Sequence, residues 1–294
     1  MSDRTGLTFR SNDLGDPVAW RALAGLLQDV FGIDVTVLDR LGGPDPSSVA
    51  FSWFDTAGAC IANITAFSLP LMVDGRVVRA AGLQSGAVRP DHRGRGLYRD
   101  VTQAALAHCD AEGFEAVALL TDTPALYRRH GFEPVEQHRF TGPAPTGGTA
   151  RPVRRLEIGD AADMALLGRL LDGRQPVSSR FAPLRQKEMF LFNASLMPDL
   201  RLDLMDETTA LAWQEGEDGG FELLDIVSAR IPALADILAS LRIAPSRIAV
   251  HFAPDCLSWE GEALPDTGDM TLMLRTRNGL QPKGPFALPP MAEF

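Results

Sequence analysis

The sequence predicts an α/β (α+β) chain: a mixed, mostly antiparallel sheet flanked by helices, followed by a second unit of similar element order. Three observations predict it. An apolar strand over residues 80–88 ends in the glycine-rich turn Arg93-Gly94-Arg95-Gly96, which opens a helix with Leu97, Val101, Ala105 and Cys109 at helical spacing. A meander precedes that strand, and its turn is the strong hairpin signal Asp74-Gly75. After a linker, the order of elements repeats.

The elements follow in order. Residues 7–10 read as a short strand. Asp16 caps a helix whose first turn holds Pro17 and which runs to about Phe31. Leu41-Gly42-Gly43-Pro44-Asp45-Pro46 is a loop. Residues 49–54 are a strand, residues 60–73 a second, and residues 76–88 return antiparallel. Residues 116–120 read as a buried strand, with Leu126-Tyr127-Arg128-Arg129-His130-Gly131-Phe132-Glu133-Pro134 after it. Residues 141–149 are rich in Gly, Pro and Thr and lack periodicity, as a linker does. The expected division is a first domain over 1–142, a linker over 143–150 and a second domain over 151–294.

In the second half, residues 153–158 read as a strand and Asp160 caps a helix to about Leu171. A helix near 184–196 and strands at 200–205, 210–214 and 221–227 follow. A helix over 231–241 and strands at 247–252 and 270–274 close the pattern. The turn after Ile226-Val227 reads Ser228-Ala229-Arg230-Ile231-Pro232, with no glycine. The second unit is therefore expected to be a degenerate copy that holds no cofactor.

Bulk properties exclude several classes. A net charge of −10 on 294 residues argues against nucleic acid as a partner. It favours a cationic substrate through steering, with simple solubility as the plainer explanation. No 18-residue apolar run exists, and Met1-Ser2-Asp3-Arg4 leads into no apolar signal region, so no membrane partner and a cytoplasmic location are expected. Cys60, Cys109 and Cys256 are far apart, with neither a disulfide framework nor zinc spacing. With 26 Arg to 2 Lys, the composition reads as that of a GC-rich, bacterial-type genome.

The turn carries the chemistry. A glycine-rich helix start leaves backbone N–H groups pointing outward, where the helix dipole adds positive charge. Gly94 and Gly96 let a pyrophosphate approach, and Arg93 and Arg95 can add charge-assisted contacts. Together with the Tyr127 segment, this turn resembles the GCN5-related N-acetyltransferase (GNAT) superfamily over roughly residues 5–140. That family carries an Arg/Gln-x-x-Gly-x-Gly/Ala loop after its fourth strand and a Tyr-x-x-x-Gly-Phe segment after its fifth. Arg93 and Gly96 fill the first two defining positions; Tyr98 stands at the third, where the family has Gly or Ala.

The resemblance implies acetyl-CoA as co-substrate, held on Ala87, Val88, Arg93, Gly94, Arg95, Gly96 and Leu97, and no metal. It implies an N-acetyltransferase in which a primary amine of a small molecule attacks the thioester directly. Tyr127 is the implied general acid at the departing sulfur, with a packing tyrosine under Gly131-Phe132 as the alternative. Tyr98 is expected to pack or to cover the phosphates. Phe51 and Trp53, with Phe67, lie on strands expected to floor the acceptor pocket, and ordinary core is the competing reading. Gln84 is placed to position a water there. A non-catalytic CoA-binding module and a protein N-acetyltransferase stay open, and a homo-oligomer is compatible.

Residues 80–88 carry no Asp or Glu to act as base. The two-unit plan is similar to the enhanced-intracellular-survival group of the superfamily, which adds a third, sterol-carrier-like domain for which this chain is short. In that group the C-terminal carboxylate enters the active site as base. The tail 285–294 is mostly apolar with three prolines. The resemblance therefore makes the Phe294 carboxylate, or Glu293, the candidate base, and a tail that merely packs is the alternative.

Overall fold

A computed structural model describes residues 4–216, 219–277 and 279–294. The first half runs β1 (Thr8–Asp13), α1 (Pro17–Phe31), β2 (Val49–Phe54), β3 (Cys60–Ser68), β4 (Leu71–Val73), β5 (Arg76–Val78), β6 (Ala80–Val88), α2 (Leu97–Ala111), β7 (Ala116–Thr121), α3 (Ala125–Arg128), β8 (Glu133–Pro134) and β9 (His138–Gly142). The second runs β10 (Val153–Arg155), α4 (Ala161–Gly173), β11 (Phe181–Pro183), α5 (Lys187–Leu196), β12 (Arg201–Met205), β13 (Thr209–Glu215), β14 (Phe221–Ser228), α6 (Leu234–Leu241), β15 (Ile248–Val250), β16 (Glu262–Pro265) and β17 (Thr271–Thr276).

Two seven-stranded sheets form, in the orders β1-β2-β3-β6-β7-β17-β8 and β10-β12-β13-β14-β15-β9-β16. The orders correspond position by position. Each sheet has one parallel pair, β6–β7 and β14–β15, among antiparallel neighbours. The expected mixed, mostly antiparallel class with flanking helices is what the structure has.

The sheets exchange strands. β17 inserts between β7 and β8 of the first sheet, and β9 inserts between β15 and β16 of the second. The expected boundary at 143–150 thus divides the sequence but not the sheets. Residues 270–274 were expected to close the second unit; they build the first. The physical reason is burial on two faces. Met273 enters the core under α2, while Leu272 and Leu274 enter the core on the opposite face. A strand apolar on both sides needs an interior place in a sheet covered on both sides.

Local signals hold where they are local. Asp16 accepts from the Val18 N–H at 2.9 Å, and Gly32 ends α1 at φ 70°. Asp160 accepts from the N–H groups of Ala162 and Asp163. Asp74 and Gly75, at φ 47° and 76°, make the predicted tight turn. Residues 60–73 do not form a single strand, because Pro70 has no N–H for the ladder; β4 turns away to pair with β5 and β11.

α2 lies on one face of the first sheet and buries Leu97, Val101, Ala105 and Cys109 against Ala81, Leu83, Val117 and Leu119. Each such aliphatic side chain contributes about 1.5–3 kcal/mol on full burial. The other face is covered by α1, which packs on Cys60 and Ala87, and by the C-terminal segment around Phe286, Leu288 and Ala292.

Candidate active site

β6 and β7 run parallel from Ala80↔Ala116 to Leu83↔Leu119 and then separate. The cause lies in β6. Its pairing with β3 shifts register between Asn63 and Thr65, and Ser85 opposite this shift takes φ 57°. A non-glycine residue in that region is strained and marks a bulge that bends its strand. Asn63 Nδ2 donates to Ser85 O at 2.9 Å and to Thr65 Oγ1 at 3.0 Å, holding the bulge. Gln84 is half-buried at the point of divergence, across from Thr65. Beyond Leu83, β6 has no strand on its β7 side, so Ala87 and Val88 border an open slot.

The slot leads to the glycine turn. Gly94 and Gly96 both take φ 76°, and Gly96 is the residue before α2. The N–H groups of Gly94, Gly96, Leu97 and Tyr98 carry no hydrogen bond among the described residues. No heavy atom lies within 4 Å of where a Gly94 Cβ would stand, so the turn is open outward. The arginines are arranged less directly than expected. Arg93 Nε donates to Val88 O at 3.4 Å, and Arg95 Nη1 lies 2.8 Å from His92 Nδ1. Arg89, not singled out from the sequence, anchors the turn by donating to Cys60 O at 2.8 Å and pairing with Asp29.

Tyr127 sits on α3, its ring edge-on to Phe132 with centroids 5.9 Å apart. It packs and reaches the slot at once. Its hydroxyl hydrogen-bonds that of Tyr98, whose ring crosses from α2 to Gly86. Burial pushes both phenols above their ordinary range; the Tyr98 bond partly offsets this for Tyr127, and Asp122 adds to it. Both are protonated at neutral pH, as an acid must be. Tyr98 thus packs across to Gly86 and Tyr127. It enters the slot itself.

The aromatics expected at the acceptor pocket do not line one surface. Phe51 and Trp53 are buried in the core under α2, with Phe51 against His108 and Trp53 against Phe9. Phe67 faces the opposite side. The pleat of the sheet places them: β2 presents Phe51 and Trp53 to the helix, and β3 presents Phe67 to the tail.

The tail docks on the first sheet. His138 N–H donates to Phe286 O at 2.7 Å, Leu288 N–H to Gln137 Oε1 at 2.8 Å, and Arg180 Nη1 to Pro285 O at 2.7 Å. Asn193 Nδ2 donates to Glu293 O at 2.9 Å. Glu293 is exposed as a residue, yet desolvation by the protein around its carboxyl pushes that group above the ordinary carboxylate range, and Phe294 packs on Phe67. Tyr127 and Phe294 thus stand on opposite faces of the first sheet.

The second parallel pair also separates, after Leu223↔Val250. Protein groups occupy the equivalent region. Arg174 donates to both Asp225 carboxylate oxygens, at 3.0 and 2.6 Å, and to Ile226 O at 3.0 Å. Gln175 N–H donates to Ser228 O at 2.8 Å. Elsewhere on this sheet a cavity of about 720 Å³ is lined by Arg139, Gln214, Glu222, Arg247 and His251, far in character from the glycine turn. Among the described residues no group of His, Cys, Asp and Glu is arranged to hold a metal ion, and no helix is long and apolar enough to cross a membrane.

A family model described as an acetyltransferase (GNAT) domain matches residues 19–135. The chain is 37% identical over 114 residues to an uncharacterized N-acetyltransferase, YhbS, of Escherichia coli K12, an overlap of 39% of this chain and 64% of the relative. The chain thus spans less than two thirds of the curated relatives it matches. A GCN5-related N-acetyltransferase from Kribbella flavida superposes with a TM-score of 0.59 at 18% identity, over 94% of this chain and 72% of that one. Eis1 from Mycobacterium abscessus superposes with a TM-score of 0.59 at 14% identity, over 92% of this chain and 73% of that one. Residues 19–135 therefore match a GNAT acetyltransferase family model, and the chain over most of its length has the fold of those GNAT structures.

Proposed function

We propose that this chain is an acetyl-CoA-dependent N-acetyltransferase that acetylates a primary amine of a small molecule by direct attack. The observation that carries the reading is the slot between β6 and β7, which opens onto unpaired N–H groups at a glycine helix start. In this reading those groups, with Arg93 and Arg95, hold the pyrophosphate. The free edge of Ala87 and Val88 bonds the pantetheine as an added strand would. Tyr127 gives its proton to the sulfur as the carbon–sulfur bond breaks. The amine enters from the opposite face and loses its proton to the Phe294 carboxylate, directly or through water. The acidic chain favours a cationic amine. The second unit shapes the first and takes no CoA, because Arg174 and Gln175 already use its backbone groups.

The test is release of the CoA thiol from acetyl-CoA across a panel of amines. The protein's buried thiols stay silent in it, since burial pushes Cys60 up to about 12 and Cys109 up to about 11. Calorimetry is expected to give about one CoA per chain, from one intact turn. Replacing Gly94 and Gly96 together by Val puts side chains at φ 76°, where the phosphates approach, and is expected to abolish binding. A folded double variant with unchanged CoA affinity would refute the placement. A second reading, a non-catalytic CoA-binding module, is favoured by Tyr98 standing inside the slot. Turnover on any amine that is lost in Tyr127→Phe rules it out.

A further inference from the structure

The chain has only two tyrosines, and the fold brings both hydroxyls into one hydrogen bond at the slot. Tyr98 starts on the first turn of α2, and Tyr127 lies on α3 beyond β7. Their rings are edge-on, with centroids 6.3 Å apart and planes at 79°. The arrangement depends on residue 86 being glycine, because a Cβ there would overlap the Tyr98 hydroxyl. Thr102 Oγ1, one turn on, donates to the Tyr98 carbonyl at 2.7 Å and steadies that turn. A ring that only packed would not need its polar end aimed at the acid, and phenylalanine would serve.

We propose that Tyr98 is the positioning residue for Tyr127 and the route by which Tyr127 recovers its proton; this rests on the acetyltransferase reading above. Tyr98 donates its hydroxyl hydrogen to the Tyr127 oxygen. The Tyr127 hydrogen is then left to point into the slot. When the carbon–sulfur bond breaks, the thiolate takes that hydrogen, and the Tyr127 phenolate takes the hydrogen of Tyr98. Tyr98 is half-buried, and water at the slot mouth returns the proton it gave. The amine's proton leaves through the base on the other face, so one proton enters and one leaves per turnover. The donor direction agrees with the shifts. Burial and the Tyr127 neighbour both hold Tyr98 protonated, whereas the bond from Tyr98 favours the Tyr127 phenolate.

The test is Tyr98→Phe in the full chain. With the best amine from the panel, KM for acetyl-CoA is expected to stay within about twofold. kcat is expected to fall about tenfold, a part of the roughly 10²–10⁴ that a positioned acid contributes. The alkaline limb of the pH–rate profile moves to higher pH, because Tyr127 has lost the donor that stabilised its phenolate. Ultraviolet difference titration reads the same pair without any acceptor. In Tyr98→Phe the one remaining phenol is expected to ionise at higher pH than the first phenol of the wild type. Gly86→Ala keeps both phenols but forces them apart, and is expected to share the phenotype if Tyr98→Phe fails to fold. Full kcat with an unmoved alkaline limb in a folded Tyr98→Phe overturns the proposal alone. A wild-type protein that acetylates no amine overturns the acetyltransferase reading, and the proposal with it.

Discussion

The ring of Phe294 meets the ring of Phe67 edge-on, with centroids 5.1 Å apart and planes at 81°. Phe67 in turn fills the space that Gly82 leaves on β6, two residues before Gln84. The last residue of the sequence is therefore stacked, through one side chain, on the strand that borders the slot. This contact supports the proposal that the Phe294 carboxylate acts as base. Removing Glu293 and Phe294, or extending the chain by a few residues, is expected to leave a folded protein that binds CoA. Turnover is expected to fall about tenfold or more. Circular dichroism, CoA calorimetry and thiol release check it, and full turnover would reduce the tail to packing.

Gly82 is constrained by contact rather than by turn geometry. Its φ is ordinary, yet a Cβ there would overlap the edge of the Phe67 ring, which is 2% exposed. Gly82→Val is expected to cost about 1–3 kcal/mol by overpacking. It should also displace Phe294 and reduce turnover more than CoA affinity. Urea unfolding and kinetics on the same sample separate the two effects. An unchanged urea midpoint would show that the ring moves freely.

What could be read from the sequence follows the range of its determinants. The glycine turn, the Asp16 and Asp160 caps and the Asp74-Gly75 hairpin are set by residues within a few positions of one another, and all appear as expected. The strand exchange could not be read. Leu272-Met273-Leu274 announces burial on two faces, but nothing in the run says which sheet supplies them. The Ser85 bulge was equally hidden, since serine carries no signal for positive φ. The Tyr98–Tyr127 bond needs Gly86, α2 and α3 together, so the odd residue at the third loop position was visible while its partner was not.

The pair Arg174–Asp225 lies in the second unit where the first has its slot, with side chains 6% and 1% exposed. Its two bonds leave Arg174 Nε as a buried atom without a partner. Asp225→Ala would strand a buried guanidinium and is expected to destabilise by about 3–5 kcal/mol. Arg174→Met with Asp225→Leu removes both charges and is expected to recover much of that loss. Chemical denaturation of the three proteins measures it. A double variant as unstable as the single one would show that the pair does more than neutralise itself.

Acid should weaken the second sheet through Glu222. His251 Nε2 lies 3.7 Å from its carboxylate and Gln214 Nε2 donates to it at 2.7 Å. The His251 contact first, and the Gln214 bond after the opposing effect of burial, hold this carboxyl at about 2 against an ordinary 4.5. A folded value below the unfolded one means that the unfolded chain binds the proton more tightly. The stabilisation is therefore complete above about pH 4.5 and is lost as pH falls toward about 2. Glu222→Gln has no such proton to bind, so its melting temperature is expected to fall less steeply than that of the wild type over this window. At neutral pH the variant should be the less stable of the two, because it loses the charged acceptor. Melting curves at matched ionic strength test both signs, and parallel pH dependence in the two proteins would assign the acid sensitivity to other carboxylates.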